Sequence, residues 1–225
     1  MEPNTPNAVS NANNNTFATP KPPIKPKTGC LGTTMILTIV IVLLLILFIP
    51  GCSKYNTMVN KNESVKAQWA QVESKYQRRY DLIGNLVETV KGYATHENKT
   101  LTEVIEARSK ATAINIKADN LDETSIQKFQ DAQDGLKTSL SKLMVVVEKY
   151  PDLKANTGFL KLQNQLESTE DEINTTRENF NTVSKDYNAY IKRFPNNIVA
   201  SICSFKESAY FKADAEAQKA PKVKF

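Results

Sequence analysis

The chain has 225 residues, of which 40% are hydrophobic, enough for one domain of ordinary size with a membrane segment and a tail but not for a second globular domain. It carries 29 basic and 24 acidic residues; because three lysines and one glutamate lie before Ser53, 26 and 23 remain beyond it, interspersed along the chain. A balance this even is typical of a solvated surface and argues against a nucleic-acid partner.

Residues 1–28 form a tail rich in proline, asparagine and lysine. The tail contains six prolines and almost nothing apolar to bury. Such a segment cannot offset the entropy that it would lose on ordering, so we expect it to be disordered. Its lysines, Lys21, Lys25 and Lys27, directly precede an apolar run and are interpreted as topology markers under the positive-inside rule. A basic contact with a partner or with lipid is the alternative.

The apolar run predicts a transmembrane helix over residues 29–52. No charged residue lies between Thr28 and Ser53, and residues 33–49 are almost entirely Ile, Leu, Val and Met. At a rise of about 1.5 Å per residue, this helix and its uncharged flanks are long enough for a hydrocarbon core of about 30 Å. The sequence therefore predicts a single-pass membrane protein.

A second interpretation of the same run is a secretory signal that ends at Cys52. Residues 49–52, Ile-Pro-Gly-Cys, resemble a bacterial lipoprotein cleavage box, in which the cysteine becomes lipidated. The preceding tail is much longer than the basic start of a signal, and Pro50 fits such a box poorly, so the uncleaved anchor is favoured. Either interpretation places the chain from Lys54 onward on the non-cytoplasmic side if the lysine-rich tail stays inside.

A long helical pattern begins near Tyr55 and continues to about Ile116. Apolar residues recur along it in sevens on two tracks, the spacing that keeps one seam facing partner helices. The tracks are Val65, Val72, Arg79, Leu86 and Tyr93, and Trp69, Tyr76, Ile83 and Val90. A single helix of this length would extend about 90 Å, so we expect a bend or break at Gly84, at Gly92 or in the polar residues 95–100.

Further helices follow with the same spacing. The cap-like residues 120–124 lead into a helix from about Thr124 to Tyr150, which Pro151 stops. Another helix begins near Ala155 and ends before Pro195. Its seam is Phe159, Leu162, Leu166, Ile173, Phe180, Val183, Tyr187, Tyr190 and Phe194. A short closing helix is predicted over residues 198–211, and residues 213–225 form a polar tail.

The whole pattern predicts an all-α fold. A single N-terminal transmembrane helix precedes an up-and-down antiparallel bundle of long helices, residues 53–212, with a short closing helix. Short connections between long helices make neighbours antiparallel. The sequence has no alternating strand runs and only seven glycines.

Residues 75–97 carry a specific resemblance to a known family. The runs Arg78-Arg79-Tyr80-Asp81-Leu82-Ile83, Asn85-Leu86-Val87-Glu88-Thr89-Val90-Lys91-Gly92-Tyr93-Ala94 and His96-Glu97 resemble the signature of the LemA family. Later landmarks similar to that family are residues 150–155, the run Leu162, Gln163, Leu166, Glu167 and Glu170, residues 193–195 and residues 210–211. The resemblance covers about residues 53–212 and implies a membrane-associated helical bacterial protein whose molecular role is not settled. The family usually has proline where this chain has Gly84, which implies a softer kink there or none.

No catalytic constellation can be assembled from the sequence. Paired metals in helical bundles need Glu-x-x-His motifs, but the one histidine, His96, follows Tyr93 at that spacing. His96-Glu97 also lacks the second histidine of a zinc protease motif, because residue 100 is threonine. We therefore predict no metal, no cofactor and no enzymatic activity, and interpret His96 as an exposed or capping residue.

The three cysteines do not suggest a disulfide. Cys30 and Cys52 flank the predicted span on opposite sides, so they cannot pair within one chain across a bilayer. Cys203 is predicted to be a small buried apolar residue, with a reactive thiol as the alternative.

Lys75, Arg78 and Arg79 are the candidate interaction residues. They lie at helical spacing, and an anionic lipid or an acidic partner could bind them. The favoured interpretation is pairing between helices, in which Arg79 intrudes on the seam and reaches an acid such as Glu170 or Asp171.

Two classes of function remain. The first is a non-enzymatic, membrane-tethered bundle that binds protein partners in the cell envelope, as a scaffold or a homo-oligomer. The second is an enzyme, or an accessory subunit of one, that acts on envelope substrates. The absence of a catalytic set favours the first.

Overall fold

The computed structural model describes residues 30–212, apart from the side chains of residues 30, 31, 33 and 44–50. Within this range the chain forms helices and no strand, which confirms the all-α prediction. The helices are α1 (Cys30–Lys91), α2 (Asn98–Ala113), α3 (Glu123–Val147), α4 (Pro151–Lys154), α5 (Thr157–Lys192) and α6 (Asn196–Ile202). The predicted tails, residues 1–28 and 213–225, lie outside the described residues.

The chain divides into two units between Ile46 and Leu47. In the first unit, residues 34–43 of α1 expose their side chains on every side of the helix. The large apolar side chains among them are between 45% and 68% exposed. Of the predicted transmembrane segment, residues 29–52, residues 30–52 lie within α1, and residue 29 lies outside the described residues. Among the residues that the structure describes, no helix combines the length and the hydropathy needed to cross a membrane.

In the second unit, the order of contacts along α1 fixes the direction of its neighbours. At one level of the bundle, Trp69 contacts Ile116, Phe129 and Phe180; further along α1, Arg79 and Tyr80 contact Arg108, Gln133 and Glu170. From Trp69 to Tyr80, the partner on α3 moves forward along the chain, from Phe129 to Gln133. The partner on α5 moves backward, from Phe180 to Glu170. The partner in α2 and the loop after it also moves backward, from Ile116 to Arg108. Helices α1, α2, α3 and α5 therefore run alternately up and down, which confirms the predicted bundle.

The core of the bundle is centred on Trp69, which is 1% exposed. Its ring lies 5.6 Å from the rings of Phe129 and Phe180 and 6.0 Å from that of Phe211, centroid to centroid. Four of the five ring contacts among these four residues are edge-on, a geometry that aromatic rings favour. The cluster joins α1, α3, α5 and the segment after α6, so one group of rings holds the four parts together.

The break in the long helical pattern falls at Gly92. Helix α1 ends at Lys91, and residues 92–97 turn the chain into α2. The carbonyl of Val90 accepts hydrogen bonds from the amides of Tyr93 and Ala94, which closes the helix end. Gly84, the other glycine at which a break was expected, lies inside α1.

Three exposure predictions are wrong, each at the end of a helix. Tyr93 and Phe194 are exposed although the seams predicted them to be buried, and Cys203 is exposed although it was predicted to be buried. Tyr93 follows the end of α1, Phe194 follows the end of α5, and Cys203 follows the end of α6. Heptad spacing holds only while the helix continues, so a residue beyond the last turn leaves the seam.

The closing helix is much shorter than predicted, because it stops at Ile202 rather than continuing to Phe211. Ser204 adopts a left-handed conformation with φ of 59°. The amide of Phe205 donates to the carbonyl of Ala200 at 2.9 Å, and the amide of Ser204 donates to that of Ser201 at 3.3 Å. This is the Schellman arrangement that ends helices, with serine where glycine is usual. Residues 205–212, called the C-terminal strap below, continue without helix.

Replacing Ser204 by glycine is expected to raise the free energy of unfolding by up to about 1 kcal/mol, because glycine adopts the left-handed conformation without a Cβ penalty. Urea denaturation of the fragment 53–225 measures the change. Ser201→Gly is the matched control, since Ser201 is exposed one turn earlier inside α6, where glycine is expected to destabilise by about 0.5–1 kcal/mol. Equal destabilisation by both replacements would contradict the assignment of the helix end.

Candidate functional site: a buried arginine and the C-terminal strap

The structure separates the three candidate basic residues into two environments. Arg79 is only 3% exposed and points into the bundle. Lys75 and Arg78 stay at the rim, where Lys75 is half-buried and Arg78 is exposed. The sequence placed all three on one helix face, but only two of them border solvent.

Arg79 pairs with an acid on α5, as the seam predicted. Its Nε lies 2.8 Å from Oε1 of Glu170, whose side chain is 39% exposed. The N–H does not point along the line to that oxygen, so the contact is an ion pair rather than a directed hydrogen bond. Asp171, the other acid considered, is exposed. The pair joins the buried guanidinium of Arg79 on α1 to the partly exposed carboxylate of Glu170 on α5.

Lys75 and Arg78 share a second acid on the same helix. Glu172 Oε2 lies 2.8 Å from Lys75 Nζ and 3.7 Å from a terminal nitrogen of Arg78. The hydrogen bond from Lys75 is the main reason why the pKa of Glu172 is lowered, and the positive charges of Lys75 and Arg78 act in the same direction. All three candidate basic residues therefore contact carboxylates of α5.

Arg79 also forms part of a groove of about 480 Å³ that opens beside α3 and α5. Tyr76 and Gln133 line it next to Arg79, and burial raises the pKa of the Tyr76 phenol. Gln133 Nε2 donates to the hydroxyl of Tyr80, while its Oε1 is buried without a hydrogen-bond partner. Sequence reasoning did not select Gln133. Its position between Phe129 and Leu136 on the apolar stripe of α3 was the available signal.

The C-terminal strap is held by three side-chain amides that each bond its backbone twice. Each amide donates through nitrogen to a strap carbonyl and accepts through oxygen from a strap N–H. The pairs are Asn188 with Ser208 (2.7 and 2.9 Å), Asn181 with Phe211 (3.0 and 2.8 Å) and Gln130 with Lys212 (3.0 and 3.3 Å).

These amides replace the backbone partners that a strand would find in a sheet. They position Phe211 in the aromatic cluster, where its ring lies 5.4 Å from that of Phe180. The sequence pattern did not predict this arrangement. Asn181 and Asn188 lie seven residues apart on α5, but this spacing alone does not show which backbone they bind.

The residues that the structure describes hold no candidate metal site. Across residues 30–212, no three side chains of histidine, cysteine, aspartate or glutamate come together as metal ligands. His96 is exposed in the turn between α1 and α2. Cys52, the candidate lipidation residue, is exposed with a free thiol.

Comparison with known proteins gives one family. The family model described as "LemA family" matches residues 68–225. The magnetosome protein MamQ 2 of Paramagnetospirillum magneticum is 29% identical over 198 residues, which cover 80% of this chain and 73% of that protein. Protein LemA of Metamycoplasma hominis is 27% identical over 160 residues, 71% of this chain and 69% of that protein. The magnetosome protein MamQ of Magnetospirillum gryphiswaldense is 27% identical over 198 residues, 80% of this chain and 73% of that protein.

Proposed function

Because the chain belongs to the LemA family, we propose that it is a membrane-tethered, non-enzymatic protein whose helical bundle binds protein partners in the cell envelope. The N-terminal apolar segment is the transmembrane anchor. The bundle lies on the non-cytoplasmic side, as a scaffold that binds other proteins or further copies of itself.

The observation that carries the tether is the character of the first unit. Residues 34–43 are exposed all round the helix, and eight of the ten are large apolar residues. A helix that is apolar on every side is suited to a lipid environment, because water would meet its whole apolar surface. The uncharged sequence from Gly29 to Cys52 extends this character on both sides.

The polar groups of the bundle support a binding role over a catalytic one. The buried Arg79 is neutralised by Glu170, and the amides of Asn181 and Asn188 are used to hold the C-terminal strap. These contacts stabilise the fold. The MamQ relatives are named for a cellular structure, the magnetosome, and not for a reaction, which also favours a structural or interaction role.

Membrane extraction combined with intact-mass analysis tests the tether. We expect the full chain to stay with the membrane after alkaline carbonate washing, to be released by detergent, and to retain residues 1–28. The fragment 53–225 is expected in the soluble fraction, because it lacks the apolar segment. Full-length protein in the soluble fraction would contradict the proposal.

Cys52→Ser distinguishes the two kinds of anchor. We expect this variant to stay in the membrane with unchanged efficiency, because the apolar helix rather than a lipid holds the chain. A mature chain that begins at a lipid-bearing Cys52, together with loss of membrane retention in Cys52→Ser, would replace the transmembrane anchor by a lipoprotein anchor.

A further inference from the structure

The corner between α5 and α6 exposes three large apolar side chains. Phe194 is 81% exposed, Ile198 51% and Ile202 77%. They follow one another at four-residue intervals, and Ile198 and Ile202 lie one turn apart on the same face of α6. The opposite face of α6 packs inward through Asn196 and Ala200, which are buried. The apolar corner, Phe194, Ile198 and Ile202, thus consists of the solvent-facing side of α6 and the exposed residue two positions before that helix.

The apolar corner lies at the end of the bundle where the chain enters it. The ring of Tyr55, near the start of the bundle, is 5.6 Å from that of Phe205, just beyond α6. Lys61 Nζ lies 5.7 Å from the ring centroid of Tyr190, near the end of α5. In the sequence, Tyr55 stands only six residues after Ile49, where the apolar run ends.

Charges of both signs lie at this end. Glu63 and Asp119 line the same pocket as Lys206, and Lys66 pairs with these two acids at 2.9 and 2.7 Å. Arg193 directly precedes Phe194 in the chain. Lys54 precedes Tyr55 and Lys206 follows Phe205, the two residues whose rings are in contact. Arg193 and Lys206 are exposed. The neighbouring acid Glu207 is engaged by Lys192 at 2.7 Å. Exposed apolar side chains with a basic rim are the pattern of surfaces that enter the headgroup region of an anionic bilayer.

We propose that the apolar corner is a membrane-contact surface, which inserts Phe194, Ile198 and Ile202 into the headgroup region of the bilayer that holds the apolar segment. This inference rests on the proposed tether, since it needs a bilayer at this end of the bundle. The contact gives the bundle a second attachment to the membrane, in addition to the anchor.

Cys203 is a suitable labelling site, because its thiol is exposed and it directly follows Ile202 in the chain. The full chain with Cys30→Ser and Cys52→Ser is labelled at Cys203 with an environment-sensitive fluorophore. It is then reconstituted into vesicles of phosphatidylcholine and phosphatidylglycerol. We expect blue-shifted emission and quenching by lipids that carry a spin label near the headgroup. Vesicles of phosphatidylcholine alone are expected to give weaker quenching, because the basic rim then lacks anionic headgroups.

The triple variant Phe194→Ser, Ile198→Ser, Ile202→Ser is expected to lose the quenching while still floating with the vesicles. Val145→Ser is the matched control, because Val145 is 67% exposed on α3 at the opposite end of the bundle; its quenching should equal that of the parent. Circular dichroism of the triple variant should be unchanged, since all three side chains point to solvent.

The outcomes separate the two proposals. A chain that does not float with the vesicles would overturn the tether and this inference together. A chain that floats but whose label at Cys203 is not quenched, or stays quenched in the triple variant, would overturn the membrane contact alone. A label equally shielded in detergent, with cross-linked dimers at the corner, would assign the surface to a second copy of the chain and also overturn it.

Discussion

Replacing Phe180 by alanine is expected to lower the free energy of unfolding of the fragment 53–225 by about 3–5 kcal/mol. Phe180 has no exposed surface, and its ring lies 5.6 Å from Trp69 and 5.4 Å from Phe211. Alanine would leave a cavity beside the rings of Trp69 on α1 and Phe211 on the C-terminal strap, and these elements cannot both move to fill it. Urea denaturation followed by circular dichroism measures the loss.

Leu160→Ala is the control on the same helix. Leu160 is 42% exposed, so the same kind of truncation is expected to cost far less than at Phe180. If Phe180→Ala unfolds at the same urea concentration as Leu160→Ala, the aromatic cluster is not the centre of the core and the assigned seam of α5 is wrong.

Arg79→Ala is expected to destabilise the same fragment by about 3 kcal/mol in plain buffer, without any partner or lipid. Breaking a buried ion pair commonly costs about 3–5 kcal/mol, and the lower end applies because the remaining acid, Glu170, is partly exposed to water. Arg78→Ala is the neighbouring control. Its guanidinium is exposed and 3.7 Å from Glu172, so its loss is expected to cost less than about 1 kcal/mol.

Two further variants separate charge from packing at Arg79. The double replacement Arg79→Met with Glu170→Met is expected to recover most of the lost stability, because it removes both charges and keeps the side-chain volume. A cross-linking pull-down from intact membranes then tests for docking. Unchanged melting of Arg79→Ala together with lost partners would contradict the structural role and identify Lys75, Arg78 and Arg79 as an interaction surface.

The heptad pattern predicted most of the bundle, because its cause is local. A helix repeats its faces every few residues, so the spacing of Val65, Trp69, Val72 and Tyr76 shows directly which side is buried. The same spacing placed Arg79 on the seam. A charge at such a position requires an opposite charge across the interface, which is why an acid on α5 could be named from the sequence and was found at Glu170.

The sequence by itself determined the long helices, their apolar faces, the family resemblance and two candidate acids for Arg79, Glu170 and Asp171. Only the tertiary structure decided how the chain closes, because that depends on groups far apart in sequence. The strap leaves the helical path at Ser204 and is held by amides of Asn181, Asn188 and Gln130, which no periodicity relates to its backbone. A helix pattern also continues past its physical end, so periodicity alone could not show that Phe194 faces solvent.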